Sequence, residues 1–198
     1  MSHHDSDVYY DTKYHANVHI VHPGEYYISS DPDIKIITIL GSCVAACIFD
    51  SQKKIGGLNH FMLPSAPDPS DLTSRSNRYG SFAMEKLINE LLKMGCRCEN
   101  FEVKLFGGSN MIKSSAKIGD INIDFIHHYV SQESLRVISE DLGGMHARRI
   151  IFSPTSGKVM RLNLNHDDDK VVQEEKNYIK KVIPELVPGE TELFSKLK

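Results

Sequence analysis

Cys43 follows Gly41-Ser42 and opens the apolar run Val44 to Phe49, while His60 lies inside a second apolar run, Gly56 to Leu63. A thiol and an imidazole within reach of each other make a nucleophile. The thiolate attacks a carbonyl carbon, and the imidazole either takes the thiol proton or pairs with the thiolate as an ion pair. On an amide, protonated His60 would pass its proton to departing ammonia, and neutral His60 would then activate water to hydrolyse the thioester. Gly41 lets the chain turn sharply ahead of the strand, so the sulfur can sit exposed at the sheet's end. The neighbouring backbone N–H groups then face a developing oxyanion, and the expected active-site loop comprises Gly41, Ser42 and Val44 with Asn59 beside the histidine. From residue types alone, a Cys and a His on adjacent strands are more often core residues than a catalytic pair.

The two side chains meet only if the two runs pair. An antiparallel hairpin with its loop near Ser51 to Lys54 puts Asp50 opposite Ile55 and His60 opposite Ala45. Ala45 is two positions from Cys43, roughly 7 Å along a strand. Cys47 shares the face of Cys43 and reads as core packing.

Further short runs rich in β-branched residues, His19 to Val21, Glu25 to Ile28 and Ile34 to Leu40, make the first third of the chain a sheet. The Pro-rich stretch from Pro64 to Asn77 reads as a surface loop. Between Tyr79 and Met94 the apolar residues Phe82, Leu87, Ile88, Leu91 and Leu92 fall on one helical face, and Gly95 is a natural stop. Glu102 to Phe106 reads as a strand running into Gly107-Gly108, whose permissive backbone suits a turn at the active-site rim. A second helix is expected from about Asn122 to Ile138, with one half-buried and one exposed imidazole at His127-His128. A late hairpin joins Ile150–Phe152 to Lys158–Leu164. These elements give an α/β fold with a mixed, largely antiparallel sheet system and two main flanking helices. The organisation expected is a flexible arm over residues 1–17, one catalytic domain over 18–165 and a charged tail over 166–198, with a helix from Val171 to Val182.

Composition narrows the function. Of 198 residues, 40% are hydrophobic and 25% charged, with a net charge of -3, which argues against nucleic acid as the main partner. The longest apolar stretches fall far short of a membrane span, and the polar start lacks the pattern of an export signal. A soluble cytoplasmic protein is expected, and there the four cysteines are reduced. Cys96 and Cys98 form a C-x-C without a second ligand pair at zinc spacing, so packing is the preferred reading and no metal is expected.

Leu40-Gly-Ser-Cys-Val44 and Asn59-His-Phe-Met-Leu-Pro64 resemble the signature of the CheD family of chemoreceptor glutamine deamidases. The resemblance continues through Arg78-Tyr-Gly-Ser-Phe-Ala-Met-Glu-Lys-Leu87, Gly107-Gly-Ser-Asn-Met111, Ile118-Gly-Asp-Ile-Asn122 and Asp141-Leu-Gly-Gly-Met-His-Ala-Arg148. It implies that Cys43 is the nucleophile, that His60 is its partner, and that the fold is a three-layer sandwich. Relatives commonly carry a catalytic threonine six residues before the cysteine, where this chain has Ile37. Thr38 is the adjacent candidate, and on a strand that single step reverses the side chain. Asp120 also departs, standing where relatives often have a basic or other polar residue.

The resemblance further implies hydrolysis of selected glutamine side chains on methyl-accepting chemotaxis receptors, giving glutamate and ammonia without a metal or organic cofactor. Two other functions remain open: a non-catalytic adaptor binding a CheC-type phosphatase, and a receptor methylesterase using the same thioester chemistry. A redox or metal-binding domain built on Cys47, Cys96 and Cys98 is the third.

Overall fold

A computed structural model describes residues 8–63, 75–111, 118–164, 171, 173–178 and 180. The first sheet holds β1 (Val8–Asp11), β2 (Ala16–Ile20), β4 (Ile34–Leu40), β9 (Ala147–Ser153) and β10 (Lys158–Leu164), in the order β1-β2-β4-β9-β10. The second holds β3 (Tyr26–Ser29), β5 (Val44–Asp50), β6 (Ile55–Phe61), β7 (Phe101–Gly107) and β8 (Val137–Leu142), in the order β3-β6-β5-β7-β8. Among the described strands only β2–β4 and β7–β8 pair parallel; the other pairs are antiparallel.

Every residue of β5 and β6 is buried, because these strands are covered on both faces. Side chains alternate along a strand, so Cys43, Ala45, Cys47 and Phe49 enter the core between the sheets with Ile36, Leu40 and Phe152. Val44, Ala46 and Ile48 enter a second core with Leu87 and Leu91 of α1 (Arg75–Lys93) and Phe125 of α2 (Ile118–Gln132). The layers are therefore sheet, sheet and helices, the α/β sandwich with mixed, largely antiparallel sheets that was expected. The hairpin register is also as read: Ala45 pairs with His60, and Asp50 with Ile55.

Boundaries differ in four places. Val8–Asp11, expected within the arm, form an edge strand on β2. Tyr9 and Tyr10 are both exposed there, so no alternation marks it; residues 1–7 lie outside the described residues. Residues 75–77 already belong to α1, and 64–74 of the expected loop are not described. The second helix begins at Ile118 and ends at Gln132, with Ser134 in the left-handed region (φ 51) and Leu135 N–H bonded to Val130 O. That cap position is usually glycine, and here a serine hides the stop; Ile138 belongs to β8. His127 and His128 are both exposed, His127 bonding Glu140, and Cys98 is exposed whereas Cys96 is buried. Of the expected last helix, the described residues 171, 173–178 and 180 are helical.

Candidate active site

Cys43 ends the three-residue turn between β4 and β5, and all three carbonyls of that turn are held from outside. Gly41 O accepts from Ser109 N–H at 2.7 Å, Ser42 O from Asn122 Nδ2 at 2.9 Å, and Cys43 O from Gly108 N–H at 2.8 Å. With the carbonyls pulled outward, the N–H groups of Gly41 and Cys43 converge on one oxygen, Glu175 Oε1, at 3.1 and 3.0 Å. Two backbone donors on one oxygen beside a thiol have the geometry of an oxyanion hole.

The glycines at the rim make this approach feasible. A Cβ on Gly107, which has φ +112, would lie 2.1 Å from Cys43 O, and one on Gly41 would meet Glu175 Oε1 at 2.8 Å. Gly107 is held in turn by Gly143 N–H on its carbonyl at 2.8 Å. Buried Arg148 reaches Ser109 Oγ at 2.8 Å and the Asp141 carboxylate at 2.9 Å, binding the rim to β8 and β9.

His60 comes from β6 and faces the same interlayer core as Cys43. Its Nδ1 lies 2.8 Å from Thr38 Oγ1, which also lies 2.8 Å from Val21 O. The threonine has a single proton, and the carbonyl can only accept. Thr38 therefore donates to Val21 and accepts from His60 Nδ1–H, which leaves the lone pair on Nε2. Nε2 is buried and has no hydrogen-bond partner among the described residues, so it is free to take a proton. Burial lowers the His60 pKa to about 3, keeping the ring neutral. The Cys43 thiol is pushed well above its ordinary range, first by burial and then by the Glu175 carboxylate. In this closed arrangement the pair is thiol and neutral imidazole, not an ion pair.

Cys43, His60 and Thr38 are thus gathered at one end of the interlayer core, with Gly41, Ser42, Gly107 and Gly108 around them. Thr38 reaches His60 because even-numbered residues of β4 face inward, whereas Ile37 packs on the outer face with Val18 and Ile151. The side chains of Val44 and Asn59 point away from the interlayer core that holds Cys43. Both turn toward the helices: Asn59 accepts from Ala46 N–H at 3.0 Å and donates to Ala83 O at 3.1 Å, tying β5 to α1. Asn122 and Glu175 went unnoticed as site residues. Asn122 stood in a quoted motif, but nothing local assigns it to Ser42; Glu175 is one acid in a charged tail.

A family model described as CheD chemotactic sensory transduction matches residues 62–162. A protein of Rhodopseudomonas palustris named "Probable chemoreceptor glutamine deamidase CheD" is 46% identical over 188 residues, 94% of this chain and 88% of that protein. Proteins of the same name from Thiobacillus denitrificans and Hahella chejuensis are each 42% identical, over 193 and 176 residues, 96% and 87% of this chain and 95% and 82% of theirs. The family match begins after His60, but the first two alignments are long enough to include both Cys43 and His60.

Proposed function

Because this chain belongs to the CheD family, we propose that it is a protein-glutamine glutaminase that converts glutamine side chains of chemoreceptors to glutamate, with Cys43 as nucleophile. The observation that carries the mechanism is the convergence of Gly41 N–H and Cys43 N–H on a single oxygen beside the thiol.

In the reaction the Cys43 thiol gives its proton to His60 Nε2 as sulfur bonds the amide carbon, and the carbonyl oxygen becomes an oxyanion held by the two N–H groups. Protonated His60 then donates to the nitrogen as the C–N bond breaks, releasing ammonia and leaving a thioester. Water enters, His60 takes its proton, and collapse of the second oxyanion frees glutamate and returns the proton to sulfur. Thr38 holds the ring in the tautomer that both steps need. Partners and location follow from this reading: receptors as substrate, no inserted membrane segment and a cytoplasmic setting. Among the described residues no helix is long and apolar enough to cross a membrane.

The test is peptide mass spectrometry on a chemoreceptor cytoplasmic fragment, reading the mass gain when an amide NH2 becomes OH. Conversion by the wild type but not by Cys43→Ala is expected. Methanol release from a methylated fragment would identify an esterase instead. Receptor glutamines left intact, with signalling output retained in Cys43→Ala, would identify an adaptor of the kind that binds a CheC-type phosphatase.

A further inference from the structure

Glu175 has no part in that mechanism, yet it fills the site. Residue 171 and residues 173–178 return across the mouth with Val171, Glu175 and Tyr178 on one helical face and Gln173, Glu174, Lys176 and Asn177 exposed. The inward positions are four and three residues apart, the spacing of a single helix stripe. Glu175 is 7% exposed; besides its bonds to the two N–H groups through Oε1, its Oε2 accepts from Ser42 Oγ at 2.6 Å. Val171, also buried, packs on Gly41. Tyr178 sits over Gly24, where a Cβ would come within 2.5 Å of its hydroxyl, and bonds Tyr79. Gly24 and Tyr79, the two residues Tyr178 meets, also line a cavity with Tyr26, Phe82 and Lys86.

A γ-carboxylate seated in a hole suited to an amide-derived oxyanion is what deamidation of a glutamine leaves behind. We propose that the helical segment carrying Val171, Glu175 and Tyr178 occupies the groove in which the substrate helix lies, with Glu175 as a tethered product. The preferred substrates are then helical glutamines with an apolar residue four positions before and an aromatic or apolar residue three positions after. This rests on the deamidase reading of Cys43. The segment has to leave before a substrate enters, because Cys43 is fully buried beneath it. Competition from a tethered ligand lowers the apparent affinity for substrate by the fraction of time the groove is open. The carboxylate also disfavours the thiolate while it is docked, so the closed enzyme is protected as well as covered.

The deciding experiment uses the full chain carrying Glu175→Gln. The introduced amide carbon then lies at the nucleophile: sulfur bonds it, ammonia leaves with the proton from His60, and water hydrolyses the thioester, restoring glutamate at that position. Peptide mass spectrometry should find glutamate there when Cys43 is present and glutamine when Cys43→Ala is combined with it. Persistence of the introduced glutamine, while the same preparation deamidates a receptor fragment, would overturn the groove assignment and leave the deamidase reading standing. A readout independent of catalysis is the alkylation of Cys43 by iodoacetamide, resolved by peptide. In Glu175→Ala it should run on the order of tenfold faster than in the wild type, with Cys47 unchanged. Equal rates would show that the segment does not cover the thiol and would overturn the proposal whether or not receptors are deamidated.

Discussion

Thr38 Oγ1 lies 2.8 Å from His60 Nδ1 and the same distance from Val21 O, so one hydroxyl proton fixes the tautomer of the ring. Thr38→Val keeps the shape and removes the hydroxyl, leaving a buried N–H without its acceptor. The expected result is a kcat loss of about a hundredfold, since positioned proton transfer is worth at least that much, with KM little changed. Thr38→Ser should restore most of it. Steady-state kinetics on a receptor fragment checks both variants, and equal activity in Thr38→Val would remove the threonine from the mechanism.

Asn122 bridges two backbones, donating to Ser42 O at 2.9 Å and accepting from Leu63 N–H at 2.8 Å. Asn122→Ala strands the buried Leu63 N–H, at about 1–3 kcal/mol, and the part-buried Ser42 O at less. Lower stability in urea denaturation is expected, together with a kcat loss beyond what unfolding explains, because Ser42 O is one of the three tethers that aim the hole. Unchanged kcat in the folded fraction would show that the other two tethers suffice.

How much of this site is legible in the sequence depends on how local each determinant is. The pairing of Ala45 with His60 follows from a four-residue turn, so arithmetic along the chain finds it. The inward face of Thr38 follows from parity with Ile36 and Leu40, although the distance to His60 depends on how two sheets stack. The end of α2 was hidden because Ser134 adopts a backbone conformation that glycine normally advertises. Glu175 is the extreme case: it reaches Cys43 from 132 positions away. No periodicity within the tail says which of its acids turns inward, and only the docked helix distinguishes Glu175 from Glu174.

Two glycines with positive φ allow strain and space to be separated. Gly107→Ala adds a backbone strain of about 1–3 kcal/mol and a Cβ that would lie 2.1 Å from Cys43 O. Gly95→Ala, at φ +83, carries the strain alone, its nearest neighbour being Lys53 Nζ at 3.8 Å. Both should lower the melting temperature, Gly107→Ala the more, and only Gly107→Ala should abolish deamidation in protein that remains folded. Comparable activity in the two variants would mean that the Gly41–Cys43 turn yields without moving the N–H groups.

His60 also ties stability to pH, with a sign set by the direction of its shift. Burial lowers it to about 3 from an ordinary value of 6.5, so below 6.5 the unfolded chain takes up a proton that the folded chain refuses. Above that value the residue contributes no pH dependence. Between about 6.5 and about 3 the fold loses stability as pH falls, with a slope approaching about 1.4 kcal/mol per pH unit. Nearby Glu175 does not shelter the ring, since its carboxylate is engaged by Gly41, Ser42 and Cys43. Urea denaturation of wild type and His60→Asn at a series of pH values between 7 and 4 isolates the contribution. The wild type should lose stability more steeply by close to one proton's worth, and parallel curves would mean that the imidazole is protonated in the fold.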